Sequence, residues 1–156
     1  MSEFSSNRPS YAPYGSWRSP VSAELIAANQ IGLAEPRFAN GRLYWLESRP
    51  LEDGRVALVC RRPDGAIQDV VPSEFNVRTR VHEYGGGAYA IHGTTLYFSE
   101  NSTQQIFRII PGGLPSSVTP ESGEDGAIRY ADANLTPDGT RLIAVRETHR
   151  FDGGVT

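Results

Sequence analysis

The 156-residue sequence lacks the features that define several protein classes. Its single cysteine, Cys60, excludes an internal disulfide and any metal site built from several cysteines. No run of about 18 apolar residues occurs, so no membrane-spanning segment is predicted. A net charge of −3 gives no broad basic surface for nucleic acid or acidic lipid. The first residues are polar and contain no apolar core, which excludes a secretory signal and makes a cytoplasmic location the default expectation.

Glycine and proline, in contrast, are abundant, with 16 Gly and 11 Pro spread along the chain. They separate short apolar segments, which is typical of an all-β protein with many short strands. Only one helix is predicted. It begins after Ser22, a good N-cap residue, and ends near Asn29, because Ala, Glu and Leu in between favour a helix.

The strand patterns recur along the chain at a nearly constant spacing. Thr95–Glu100 matches Arg42–Glu47 in residue type 53 positions later. A third copy begins with a strand at Arg129–Leu135, and its second strand holds Leu142, 46 positions after Leu96. Each of the first two units closes at a proline. A repeat of this length that holds four short strands predicts a β-propeller blade. A β-sandwich with similar hairpins is the alternative.

The sequence therefore predicts a partial β-propeller of about two and a half four-stranded antiparallel blades, preceded by one short helix. We assign residues 1–13 to a disordered leader, 14–30 to an N-terminal segment with the helix and 31–72 to blade 1. Residues 73–120 form the inter-blade crossing and blade 2, and 121–156 the truncated start of blade 3. A half blade leaves a strand edge unpaired. We therefore expect the N-terminal part of a longer protein, which associates or folds poorly when expressed alone.

The segment from Arg80 to Tyr89 contains three consecutive glycines, preceded by polar and aromatic residues. Glycine is retained where the backbone turns tightly or where another group approaches closely. A zinc helix would need a second histidine at position 86, which is glycine, and a phosphate loop would need a following helix and a lysine. Two interpretations stay open. One is a salt bridge between an arginine and Glu83 that fixes the crossing between blades. The other is peptide binding by Arg80, His82, Glu83 and Tyr84.

Four motifs resemble the start of the prolyl oligopeptidase family of serine peptidases, closest to its dipeptidyl aminopeptidase and acylaminoacyl-peptidase branch. They are Tyr14–Trp17, Ser22–Leu25, Tyr44–Glu47 and, most specifically, Phe75–Tyr89. The resemblance implies an N-terminal propeller of about seven blades and a C-terminal α/β-hydrolase domain that carries the catalytic residues. It also implies that the propeller limits access to short peptides.

The sequence itself also predicts that this chain does not hydrolyse peptides alone. It has no Gly-x-Ser-x-Gly nucleophile elbow, so no catalytic residue is assigned and the enzyme class is uncertain. No metal or other cofactor is implied. The expected partners are a peptide substrate in the full-length protein, the remaining blades and the hydrolase domain, without nucleic acid or membrane. The alternative function is a non-catalytic propeller scaffold that binds a protein partner.

Overall fold

The computed structural model describes residues 11–16, 19, 21–22, 30–121, 127–150 and 153–156. The helix predicted before Asn29 lies outside these residues, as does most of the predicted leader. Within the described ranges, no helix is long and apolar enough to cross a membrane. A short 3-10 turn covers Pro50–Glu52. The described residues contain ten strands, β1 (Gly32–Ala39), β2 (Arg42–Arg49), β3 (Arg55–Arg61), β4 (Ile67–Asp69), β5 (Tyr89–His92), β6 (Thr95–Ser99), β7 (Ile106–Ile109), β8 (Ser116–Ser117), β9 (Ile128–Leu135) and β10 (Leu142–Thr148).

The strands form three antiparallel sheets that follow the order of the sequence. The first sheet has the order β1-β2-β3-β4, the second has the order β5-β6-β7-β8, and β9 pairs with β10 in a two-stranded third sheet. All neighbouring pairs are antiparallel. The prediction of an all-β, partial propeller-like arrangement of four-stranded antiparallel sheets is confirmed.

The first and second sheets pack together through a shared apolar core. Alternating residues of β2 and β3 point into it, because successive side chains of a strand face opposite sides of the sheet. Tyr44, Leu46 and Leu58 come from the first sheet, and Tyr89 and Phe98 meet them from the second. Ala90 of β5 points the other way and packs in a second, smaller cluster between the second and third sheets. The second sheet thus buries its two faces against different neighbours, as the blades of a propeller do.

Two contacts connect the sheets in a regular way. The crossing segment after β4 bridges the first two sheets: the Val77 N–H donates to the carbonyl of Val56 on β3, and the next N–H in sequence donates to Ser99 on β6. At the other edge, the Asn40 side chain in the β1–β2 turn donates to the carbonyl of Gly93 in the β5–β6 turn, 53 residues later. The two residues occupy the same place in successive units.

The first strands of the first and third sheets each contain a β-bulge at the same position. The register of β1 shifts between Ala34 and Arg37, and that of β9 shifts after Ala131. In both bulges the extra residue is acidic and has a left-handed backbone, with φ of 49° at Glu35 and 54° at Asp132. A bulge re-aims a side chain out of the regular alternation. Here it directs two carboxylates toward the start of β5.

Candidate functional site

The polar half of the Arg80–Tyr89 segment forms a tight turn. The N–H of Glu83 donates to the carbonyl of Arg80 at 3.0 Å, and the N–H of Gly85 donates to the carbonyl of Val81 at 2.8 Å. His82 and Glu83 have φ of 55° and 65°, in the left-handed region that residues with a side chain rarely occupy. Such strain persists only where surrounding groups hold the backbone in place.

Glu147 on β10 is the main group that holds this turn. Its side chain is 8% exposed, and its two oxygens accept the backbone N–H of His82 at 3.2 and 3.1 Å. His149 Nε2 lies 2.9 Å from Glu147 Oε2. Burial alone would raise the pKa of Glu147, but the hydrogen bonds from His149 and from the His82 N–H hold it below its ordinary value.

Arg129 on β9 holds the same turn from the other side. Its Nη1 atom donates to the carbonyl of Arg80 at 2.8 Å and to Glu83 Oε1 at 2.7 Å. This ion pair holds the pKa of Glu83 below its ordinary value. One of the two interpretations of the segment was an arginine–Glu83 salt bridge, and such a bridge is present. Its arginine comes from the third sheet, so β9 and β10 both reach back to the crossing between the first two sheets.

The four sequence-predicted site residues differ in how accessible they are. The side chains of His82 and Glu83 are 58% and 73% exposed, and Tyr84 is 88% exposed. The rings of His82 and Tyr84 are 6.2 Å apart and tilted by 34°. Arg80 is half-buried, and its backbone N–H donates to Gln104 Oε1. The turn therefore presents an imidazole, a carboxylate and a phenol to solvent, which can donate to or accept from a peptide backbone.

The glycine half of the segment is packed against Asp132. Asp132 Oδ1 accepts the N–H of Gly87 at 2.8 Å, and the Asp132 N–H donates to the Gly87 carbonyl at 2.8 Å. A Cβ on Gly87 would lie 2.7 Å from Asp132 Oδ1, and one on Gly86 would lie 3.0 Å from the Cβ of Ala131. These two glycines are therefore required by close packing.

Glu35 of the first sheet also accepts a backbone N–H group from this segment. Both of its carboxylate oxygens lie 3.2 Å from the N–H of Ala88, and its backbone carbonyl accepts the Tyr89 hydroxyl at 2.5 Å. The Arg37 guanidinium lies 5.0 Å from the centroid of the Tyr89 ring and 4.0 Å from Glu35 Oε2. Burial raises the pKa of Glu35. The hydrogen bond from the Ala88 N–H and the charge of Arg37 lower it, but by less than burial raises it. The carboxylate lies in a site that disfavours its charge.

Sequence reasoning alone did not identify the residues that support the segment. Glu147 and Arg129 lie far from it in sequence, and nothing in their own neighbourhoods marks them. Glu35 and Asp132 each follow an alanine, but the equivalence of their positions is evident only from the register of the paired strands. Among the described residues, no group of three His, Cys, Asp or Glu side chains could hold a metal ion.

Comparison with solved structures identifies similar proteins. The chain is 36% identical to a puromycin-hydrolyzing peptidase of Mycobacterium tuberculosis, with a TM-score of 0.79 over 95% of this chain. It is 35% identical to puromycin hydrolase, with a TM-score of 0.73 over 90% of this chain. No protein-family model matches the chain, and a search of curated proteins found no match.

The chain spans only about a quarter of the solved peptidases that it matches, 24% and 23% of their lengths. The matched region is their N-terminal part. The resemblance to the N-terminal propeller of the prolyl oligopeptidase family is thereby confirmed.

Proposed function

From this similarity to the N-terminal part of prolyl oligopeptidase-family peptidases, we propose that the chain forms the first blades of a propeller that limits peptide access to a hydrolase domain. The supporting observation is the similarity to a puromycin-hydrolyzing peptidase at 36% identity over 95% of this chain. The fold agrees, since each sheet packs face to face with the next. We assign the dipeptidyl aminopeptidase or acylaminoacyl-peptidase branch and a cytoplasmic location as finer parts of this proposal.

A second part of the proposal concerns the exposed turn. In this proposal Arg80, His82, Glu83 and Tyr84 contact a peptide substrate. Glu83 is the natural acceptor for the amino group of a peptide, because a carboxylate forms strong charge-assisted hydrogen bonds with an ammonium group. Its carboxylate is 73% exposed and Arg129 contacts only one of its oxygens, so the other is available.

The test uses the full-length protein. Replacing Glu83 with alanine should raise KM for short peptides with a free amino group about tenfold, because one charge-assisted hydrogen bond is lost. Peptides with a blocked amino group should be unaffected. The control is Glu52→Ala, because Glu52 is also an exposed carboxylate paired with an arginine, Arg55. Unchanged kinetics together with a lower thermal unfolding temperature would assign Glu83 a structural role.

The coding sequence downstream distinguishes the peptidase from the alternative function, a non-catalytic scaffold that binds a protein partner. A Gly-x-Ser-x-Gly elbow a few hundred residues further on supports the peptidase. A full-length protein that has no elbow and cleaves no peptide supports the scaffold.

A further inference from the structure

A cavity of about 500 Å³ lies between the second and third sheets, and its charged lining residues are all basic. Within the described ranges, it is lined by Arg108 of β7, by Arg146 of β10 and by Arg141, just before β10, and by no carboxylate. All three arginines are exposed. We call this cavity the arginine cleft. Its volume lies within the range of roughly 300–1,000 Å³ that is typical of small-molecule sites.

The strand registers place two of these arginines on opposite sides of the cleft. Arg108 pairs across the strands with Tyr97 on β6, and Arg146 pairs with Tyr130 on β9. Directly paired residues of antiparallel strands have their side chains on the same face of the sheet. Both tyrosines pack against the smaller apolar cluster, which contains Ile106, so both arginines lie on the faces that carry this cluster. Each sheet therefore presents one tyrosine–arginine pair to the other.

The three guanidinium groups have no acidic partner in the part of the chain that the structure describes. No ion pair or side-chain hydrogen bond there involves Arg108, Arg141 or Arg146. Two acids are close to them in sequence. Asp138 accepts hydrogen bonds from two threonine hydroxyls within the β9–β10 turn. Glu147 follows Arg146 on β10, so it faces the other side of the sheet, where it holds the exposed turn.

The arginine cleft differs in this respect from three other cavities, each of which is lined by an arginine together with a carboxylate. The pairs are Arg42 and Asp69 in the cleft of about 470 Å³ between the first two sheets, Arg78 and Glu35 beside the crossing segment, and Arg49 and Glu47 beside the 3-10 turn. Like charges that share a cleft without an opposite charge repel one another. The arginine cleft is therefore favourable for an anion.

We propose that the arginine cleft binds a small ligand that carries two phosphate groups. Each guanidinium presents N–H donors in a planar fork that matches phosphate oxygens, and three such groups suit a multiply charged anion better than a single carboxylate. Tyr97 and Tyr130 line the same cleft, and their hydroxyls are additional donors. Because the arginines come from both sheets, the bound anion joins the second sheet to the third. The inference goes beyond the proposed function, since it involves neither the exposed turn nor a peptide.

Titration calorimetry of the full-length protein with inorganic pyrophosphate, in buffer without divalent cations, tests this inference. Arg108→Gln and Arg146→Gln should each raise the Kd for pyrophosphate about tenfold, because each removes a charge-assisted hydrogen bond from one side of the cleft. The matched control is Arg42→Gln, since Arg42 is an exposed arginine in the cleft between the first two sheets. It should leave the Kd unchanged.

The inference is wrong if the protein binds no pyrophosphate at millimolar concentration, if both glutamine variants keep the original Kd, or if Arg42→Gln loses as much affinity as they do. Tighter binding of triglutamate than of pyrophosphate would also overturn it, because a carboxylate ligand would then be preferred. The outcome is independent of peptide cleavage. Binding that Arg108→Gln and Arg146→Gln weaken supports the cleft even in a protein that cleaves no peptide, which would count against the proposed function alone.

Thermal unfolding gives a second measurement. Both arginines are exposed, so neither glutamine variant should unfold at a lower temperature than the original protein without ligand. Pyrophosphate should raise the unfolding temperature of the original protein more than that of the double variant Arg108→Gln/Arg146→Gln, and equal shifts would contradict the inference. If the glutamine variants do not fold, Arg146→Lys replaces them. It keeps the charge but loses the planar fork, so it should raise the Kd about threefold, and an unchanged Kd would overturn the inference.

Discussion

The two halves of the Arg80–Tyr89 segment are held in opposite ways. The first half has exposed side chains, and long side chains from β9 and β10, Arg129 and Glu147, hold it by ion pairs and hydrogen bonds. The second half ends in the buried residues Ala88 and Tyr89 and is held at its backbone, where Glu35 and Asp132 accept consecutive N–H groups.

This contrast separates the part that can act on a ligand from the part that builds the scaffold. The glycines are the most conspicuous feature of the sequence, yet their role is to let the third sheet approach closely. The groups available for chemistry lie just before them. Their geometry depends on residues more than 40 positions away, so the third sheet belongs to the candidate site as much as the turn itself.

The largest effect is expected from adding a side chain to the glycine half. Gly87→Val should destabilise the full-length protein by about 2–4 kcal/mol, because its Cβ would displace Asp132 and break the hydrogen bond to the Gly87 N–H. Gly32→Val is the control, since its Cβ would meet nothing closer than 3.5 Å, and it should change stability by less than about 0.5 kcal/mol. Thermal unfolding of both variants checks this. Equal losses would show that the close packing is unimportant.

The second prediction uses pH to distinguish the two halves. The pKa of Glu147 is lowered from 4.5, so its contribution to stability is present above that pH and is lost as the pH falls through its folded pKa. The pKa of Glu35 is raised from 4.5, so its ionised form costs stability at neutral pH, and that cost disappears as the pH falls through its folded pKa toward 4.5. The carboxylates that hold the two halves therefore respond to pH in opposite directions.

Two glutamine variants measure this difference. Glu147→Gln should lose about 2 kcal/mol at neutral pH, because hydrogen bonds to a buried charge are weakened, and the deficit should narrow below pH 4.5. Glu35→Gln can still accept the Ala88 N–H, so it should be at least as stable as the original protein at neutral pH and should lose that advantage below pH 4.5. Thermal unfolding at neutral and acid pH measures both. Parallel pH dependence in the two variants would contradict the contrast.

The smallest effect concerns a single hydroxyl group. Tyr89→Phe removes the hydrogen bond to the Glu35 carbonyl while keeping the ring, which is 1% exposed, so the expected loss is about 1 kcal/mol. Tyr97→Phe is the matched control, because Tyr97 is a partly buried ring in the second, smaller cluster. If both variants unfold at the same temperature, the hydrogen bond from the Tyr89 hydroxyl to the Glu35 carbonyl contributes nothing to stability.

The strands could be predicted because the turn residues and apolar runs that indicate them are local in the sequence. The Asn40-Gly41 dipeptide is a typical hairpin turn and lies between β1 and β2, and the continuous apolar run from Val56 to Cys60 lies within β3. The 53-residue repeat then showed which strands are equivalent. Nothing local identified the two bulges, since a bulge depends on how two strands pair.

The candidate site was predictable only in part. One of the two interpretations of the segment paired Glu83 with an arginine, and the structure shows that this arginine is Arg129 rather than one of its sequence neighbours. Contacts between side chains of different sheets depend on how the sheets pack in three dimensions, which a single sequence does not reveal. The buried position of Glu147 likewise follows from the packing of β10 against the turn.

The bulges in β1 and β9 restrict how the repeated units of this protein can be exchanged or duplicated. Blades 1 and 3 each offer a carboxylate at the first strand, whereas blade 2 offers the bare backbone of Gly87 and Ala88 between them. These units are therefore not interchangeable, although their strands match. Exchanging the second unit for a copy of the first would bring three carboxylates together. Duplicating the second unit would place two sets of backbone N–H donors side by side, each without one of its carboxylate acceptors. The order of the three sheets is thus specified chemically at their first strands.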